Sequence, residues 1–234
     1  MGAQLMPSVD LAQTDRRDLN SRLHALPANT NDTHWRVENP RGRHALAVGL
    51  DAPITVEIAG HAGYYCAGMN KQATVLIEGN AGVGVAENMM SGTVHVKGDV
   101  SQSAGATAHG GLLIVDGNAS ARCGISMKGI EIVVKGSIGP MSAFMAQSGT
   151  MVVLGDAGDA LGDSIYEAKL FIRGVVASLG ADCVEKELRD EHRVELRRLL
   201  DAAGLSDTVK VDEFRRYGSA RSLYNFHVDN AAAY

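Results

Sequence analysis

A glycine stands at every nineteenth position from Gly60 onward: Gly60, Gly79, Gly98, Gly117, Gly136, Gly155 and Gly174. Each closes a short apolar run, as in T-V-E-I-A-Gly60, T-V-L-I-E-Gly79 and T-V-H-V-K-Gly98. A strict repeat without insertions constrains the fold more than any local propensity, because every unit must take the same shape. Four residues before each glycine stand Val56, Val75, Val94, Leu113, Ile132, Met151 and Leu170. Two before stand Ile58, Ile77, Val96, Val115, Val134, Val153 and Ile172. Positions two apart on a strand share a face, so both sets point into one interior. Small residues recur three after the glycine (Gly63, Gly82, Ser101, Ser120, Gly139, Gly158, Ala177) and seven after it (Ala67, Ala86, Gly105, Gly124, Ala143, Gly162, Ala181). Each marks a place where successive turns of backbone crowd one another.

A 19-residue unit with one strand and two or more tight corners cannot bury its own apolar face and must stack on copies of itself. The expected fold is therefore all-β, a right-handed, single-stranded parallel β-helix of about seven coils with short helical ends. At roughly 4.8 Å per coil the prism is about 34 Å long. Full burial of each inward side chain contributes about 1.5–3 kcal/mol before entropy, so the two ladders dominate the stability. The expected divisions are 1–54 (arm, short helix and cap), 55–183 (the β-helix) and 184–234 (helix and aromatic tail).

The 234 residues are 45% apolar with a formal charge of −5, so a basic footprint for nucleic acid is missing. Aromatics make up 5%, which argues against a carbohydrate groove or a base-stacking platform. No charged start followed by an apolar run stands at the N-terminus, the longest comparable stretch, Ala45 to Leu50, is too short for a membrane span, and the expected compartment is the cytoplasm. Cys66 and Cys123 share a repeat position three coils apart, roughly 14 Å, beyond the reach of a disulfide. With Cys183 they read as free, buried thiols.

Residues 1–13 carry no pattern and read as a mobile or partner-bound arm. From Thr14 a capping residue, early acids and Leu19, Leu23 and Leu26 at helical spacing predict a short helix ending at Pro27. W-R-V-E-N-P and R-H-A-L-A-V-G-L read as two extended pieces around the Asn39-Pro40-Arg41-Gly42 turn, covering the open first coil. Glu185 to Ala203 predicts a helix with Leu188, His192, Leu196, Leu199 and Ala203 on one face, able to cap the last coil. The tail concentrates Phe214, Tyr217, Tyr224 and Phe226 and reads as a contact segment, along the prism or onto another chain, with Arg221 and Tyr224 as anchors for a partner.

Gly79-Asn80-Ala81-Gly82-Val83-Gly84 looks like a phosphate loop, but its first two glycines belong to the repeat and no lysine or helix follows. The residues after each glycine (His61, Asn80, Asp99, Asn118, Ser137, Asp156, Val175) read as turn formers tolerating a left-handed corner. His61, His95 and His109 lie at three phases, and no acids pair on adjacent coils, so no nucleophile, base and orienter assemble. One outward line is apolar: Ile114, Val133, Val152 and Phe171. Either the C-terminal helix or a partner protein covers it.

Strand, glycine, small residue and a further glycine or alanine, repeated at this period, resembles the GXGXG β-helix at the C-terminus of the glutamate synthase large subunit. G-N-A-G-V-G at Gly79 to Gly84 and G-D-A-G-D-A-L-G at Gly155 to Gly162 carry the likeness most closely. It covers roughly Trp35 to Cys183. A separate chain of this length is more similar to the β-helix subunit of N-methylglutamate synthase; the C subunit of formylmethanofuran dehydrogenase is a relative. The resemblance implies a chain without catalytic residues, cofactor or metal of its own. The implied partners are an amidotransferase-like subunit and an FMN-binding, iron–sulfur-associated synthase subunit, in a hetero-oligomer without nucleic acid or membrane. The implied reaction is transfer of methylamine to glutamate with release of ammonia. Readings from other classes are a β-helix polysaccharide enzyme and a stand-alone assembly module.

Overall fold

A computed structural model describes residues 6–31 and 33–221. Nine parallel strands follow one another up a single wall: β1 (Ser8–Asp10), β2 (His34–Glu38), β3 (Thr55–Ile58), β4 (Thr74–Ile77), β5 (Thr93–Val96), β6 (Leu112–Val115), β7 (Lys128–Val134), β8 (Ser148–Val153) and β9 (Lys169–Ile172). The chain is thus a parallel β-solenoid. From β3 to β9 the inward residues follow the repeat, with Val56 beside Val75, Val75 beside Val94 and so on to Leu170, and the register shifts only at the start of β7, where Lys128 lies beside Ser148. Every residue of both inward ladders is fully buried.

The opposite wall is built from short parallel bridges, Ala62 to Ala81 and onward through Val100, Ala119, Ile138 and Ala157 to Val176, followed by a turn of unusual backbone. Five, seven and nine residues after the glycine the chain is left-handed, as at Tyr65, Ala67 and Met69 (φ 59°, 54° and 55°) and at Met141, Ala143 and Met145 (56°, 57° and 52°). Such residues are normally isolated. Here the stack holds each one: the Ala67 N–H donates to the coil before (Leu46 O, 2.9 Å), and those of Tyr65 and Met69 donate to the coil after (Val83 O and Glu87 O, 2.8 Å each). The left-handed corner expected just after the repeat glycine is therefore misplaced. It lies at the second small position, and of the seven repeat glycines Gly60 alone has positive φ. The others answer to close approach: a Cβ on Gly117 would lie 2.8 Å from the carbonyl carbon of Gly98.

The ends depart from expectation in several places. One more turn precedes Gly60. β2 pairs with β3 in the register His34 to Thr55 and Val37 to Ile58, out of phase with the repeat and therefore invisible in it. R-H-A-L-A-V-G-L is not extended; Ala45, Ala47 and Gly49 are its left-handed corners (φ 53°, 53° and 67°). The supposed arm contains β1, whose pairing with β2 covers the first edge, and Leu11 is wholly buried. Helix α1 (Arg16–His24) is capped by Asp15, one residue later than Thr14. It closes this end, burying Leu19 and Leu23 while Asn20 bonds Ala45 O (2.8 Å) and Ala47 N (3.0 Å).

At the other end Glu185 and Lys186 belong not to a helix but to β10 (Cys183–Lys186). Helix α2 runs Asp190–Ala202 and is followed by a 3-10 turn at Val211–Glu213. β11 (Arg215–Ser219) inserts antiparallel between β9 and β10. The last strand is thus covered by β11, and α2 lies along the flank instead of capping the last coil.

Candidate functional site

On the outside of the glycine corner each side chain accepts a hydrogen bond from the backbone one coil on. Asn80 N donates to His61 Nδ1 (2.9 Å), Asp99 N to Asn80 Oδ1 (3.0 Å) and Asn118 N to Asp99 Oδ1 (2.7 Å). Ser137 N donates to Asn118 Oδ1 (2.9 Å), Asp156 N to Ser137 Oγ (2.9 Å) and Val175 N to Asp156 Oδ1 (2.7 Å). The row is a seam between coils. Its polar character follows from the acceptor each rung needs, a requirement that sequence reasoning mistook for turn chemistry.

Ile114, Val133, Val152 and Phe171 share one line on β6 to β9, and α2 lies over them. The stripe packs with Leu196, Leu199 and Leu200 of the helix and with Ala203, Val209, Val211 and Phe214 after it. Val133, Val152 and Phe171 are fully buried, so these four residues are not partner contacts: the chain covers its own stripe. Polar contacts fix the helix in place. Glu195 receives Lys169 Nζ (2.6 Å) and Thr150 Oγ1 (2.6 Å), and Arg198 pairs with Glu131. Burial alone would raise the Glu195 carboxyl, but the hydrogen bonds from Lys169 and Thr150 outweigh it and lower it. His192, in the first turn of the same helix, is held below the ordinary histidine range by burial and by the nearby Arg216.

The aromatic tail resolves in two parts. Phe214 and Tyr217 are buried on this chain, 4% and 3% exposed, so they are not free for a partner. Arg221 pairs with the Asp182 carboxylate. Tyr224 and Phe226 lie outside the described residues.

The remaining surface groups are dispersed. Asp116, on the outward face, meets Lys135 Nζ (2.8 Å), His95 Nε2 (2.9 Å) and Lys97 Nζ (3.4 Å). Burial acts to raise its carboxyl, yet hydrogen bonds from Lys135 and His95 hold it at about 2. Among the described residues no three His, Cys, Asp or Glu side chains converge as metal ligands, and no helix is long and apolar enough to cross a membrane. Cys66, Cys123 and Cys183 are free and buried. Burial pushes the first two thiols up to about 12 and the third to about 11, far from the thiolate that nucleophilic chemistry requires. A surface cavity of about 520 Å³ lies between α2 and the segment after it, with Arg193, Arg197 and Lys210 facing Asp201 and Asp212. Its charges are mixed, and Arg193 is already paired with Asp212.

The chain is 63% identical to Protein GlxC of Rhizobium meliloti (strain 1021) over 229 residues, which covers 98% of this chain and 100% of the relative. It belongs to the GlxC family. No protein-family model matches the chain. The full-length match means that the GlxC relative extends over α1, the solenoid, α2 and β11 alike, and not over the repeat alone.

Proposed function

We propose that this GlxC-family chain is the structural β-helix subunit of a glutamate-synthase-like complex, with the chemistry carried by its partners. The specific reading is N-methylglutamate synthase: methylamine and L-glutamate give N-methylglutamate and ammonia. An amidotransferase-like subunit and an FMN-binding, iron–sulfur-associated subunit would accompany it in the cytoplasm. The observation that carries the reading is how the repeat spends its positions. Inward residues build the ladders, the residue after each glycine serves the seam, and the apolar stripe holds α2. What remains outside is a scaffold surface. The likeness of the repeat to the GXGXG domain then supplies the class of complex.

The test is purification of the tagged chain from its native host. Co-elution with two further subunits, flavin absorbance and methylamine-dependent formation of N-methylglutamate are expected of the assembly. The isolated chain is expected to bind no flavin and to turn nothing over. A flavin-free homo-oligomer as the sole species from the host would overturn the proposal, as would synthase turnover by the isolated chain.

A further inference from the structure

Charge is not spread evenly over this chain. Its formal charge is −5, yet one surface cavity, of about 440 Å³ between the start of α1 and the turn after β2, sets Arg16, Arg41, Arg43 and His44 against a single carboxylate, Asp15, with Gly42 completing the wall. The cavity beside α2 differs in kind, because there Arg193 is matched by Asp212. Among the described residues Arg16 and Arg41 make no hydrogen bond and no ion pair through their side chains, and Arg43 reaches only Thr14 O, at 3.5 Å. The acids nearby are already engaged. Asp15 accepts from Arg17 N (3.0 Å) as the cap of α1, and Asp10 accepts from Ala12 N (2.8 Å) and Asn39 Nδ2 (2.7 Å). Because Asp15 takes that amide, the helix end adds little and the guanidinium groups carry the site.

The backbone holds these groups in place. Arg41 sits in a turn closed by Arg43 N to Pro40 O (2.8 Å) and tied to the next coil by Gly42 N to His61 O (2.8 Å). Both central residues are left-handed, Arg41 at φ 46° and Gly42 at φ 69°, in a turn whose first place ordinarily goes to asparagine or glycine. Arginine there serves neither the turn nor a partner in the chain. His44 Nδ1 accepts from Tyr64 N (3.1 Å), so the ring proton sits on Nε2, which is left as a donor. The imidazole stacks on Tyr64 with 4.1 Å between ring centroids, and Tyr64 is 51% exposed. We infer that this cavity binds the diphosphate group of a small molecule. A lone carboxylate is satisfied by one guanidinium fork, whereas three forks on two elements, with an imidazole N–H beside them, suit a group with several oxygens on two linked centres. Held together without counter-charge, the guanidinium groups repel one another until an anion enters. The bearer is inorganic pyrophosphate or a nucleotide, whose base would lie on the exposed ring of Tyr64.

The experiment is isothermal titration of the full-length chain with pyrophosphate and with ADP at one fixed ionic strength. Saturable binding below about 1 mM is expected. Arg16→Gln and Arg41→Gln should each weaken it at least about tenfold while the thermal midpoint holds, since neither side chain has a partner in the fold. Should one variant lower the midpoint, the other decides. Arg197→Gln, in the cavity beside α2, is the control and should leave binding unchanged. If Tyr64→Ala weakens ADP alone, the site is a nucleotide site; if it leaves both ligands as they were, the site takes inorganic pyrophosphate. No saturable binding of either ligand overturns the inference, as does binding that survives both arginine changes or falls as far with Arg197→Gln. Binding of an oligoglutamate peptide but of neither phosphate compound assigns the cavity to an acidic protein segment and overturns it too. None of these outcomes depends on whether the chain joins a synthase complex.

Discussion

Replacing Gly117 by alanine tests the principle on which the whole stack depends, that adjacent coils meet backbone to backbone at the glycine. A Cβ at Gly117 would stand 2.8 Å from both the carbonyl carbon and oxygen of Gly98 and would press on Asp99 Oδ1. Comfortable contact is roughly 3.5 Å, so about 0.7 Å has to be found between two coils. They are pinned by Gly117 N to Gly98 O (3.1 Å) and by Asn118 N to Asp99 Oδ1 (2.7 Å). Overpacking of this kind costs about 1–3 kcal/mol, and displacing Asp99 weakens its bond from Asn118 N, worth about 1 kcal/mol at this exposed site. The alanine returns about 0.4–1 kcal/mol by restricting the unfolded chain. The net loss is about 1–3.5 kcal/mol, with a midpoint drop of about 2–4 °C for each kcal/mol in a chain of this size.

The control is Gly218→Ala in β11, where the nearest atom to a new Cβ is Ala168 O at 3.6 Å. There the expected change is zero to slightly stabilising. Gly110 is no control despite lying outside the repeat phase, because its Cβ would meet Met90 O at 2.7 Å. Denaturant unfolding with equal slopes for both variants is the assay. Equal midpoints for Gly117→Ala and Gly218→Ala would refute the close-approach argument.

Three further outcomes follow from the same structure. Val134→Asp places an unpaired charge in a fully buried position and should cost several kcal/mol, while exposed Glu78→Gln should leave the midpoint unchanged; matching midpoints would sink the inward assignment. Phe171→Ala removes the largest side chain buried under α2 and should cost about 3–5 kcal/mol in the isolated chain, whereas a stable variant that merely loses partners would return the stripe to an interface. Acid should weaken the fold in two stages. His192, lowered mainly by burial, contributes stability that is complete above the ordinary value of about 6.5 and lost as pH falls through its depressed one. Asp116, held at about 2, contributes above about 4 and is lost on approach to pH 2, so Asp116→Asn should flatten the unfolding profile in that last interval.

Much of the solenoid was legible because it repeats. The fourteen inward positions and the separation of Cys66 from Cys123 follow from phase alone; the structure buries all fourteen and leaves both thiols free. What escaped was whatever falls out of phase or uses too few residues to show a period. The turn beginning at His34 is offset from the repeat, and β1 is three residues long. β10 reads as the start of a charged helix because C-V-E-K gives no alternation of its own. The left-handed corners escaped for another reason. Tyr65, Arg122 and Met141 carry no propensity for positive φ, and the neighbouring coils that impose it are nineteen residues away. Propensity is local, whereas the constraint here comes from the stack.

The same logic explains why the ends and the flank, and not the interior of the repeat, carry the covering elements of this chain. In a stack each coil sees only the coils on either side, so an interior coil has its backbone satisfied twice over and can vary only its outward side chains. Ile114, Val133, Val152 and Phe171 use that freedom to hold α2, and Glu131 uses it to hold Arg198. The first and last coils each lack one neighbour and have to acquire a cover. At the start that cover is local in sequence, since β1, α1 and β2 precede β3 directly. At the finish it is not: β11 returns after α2 has crossed the flank, so covering β9 and docking α2 on the stripe are linked steps. Loosening α2 with Phe171→Ala should therefore also expose the β9 edge, and amide exchange in β9 and β11 should rise together. If β11 stayed protected while α2 came away, the two covers would be independent and this account of the C-terminal end would fail.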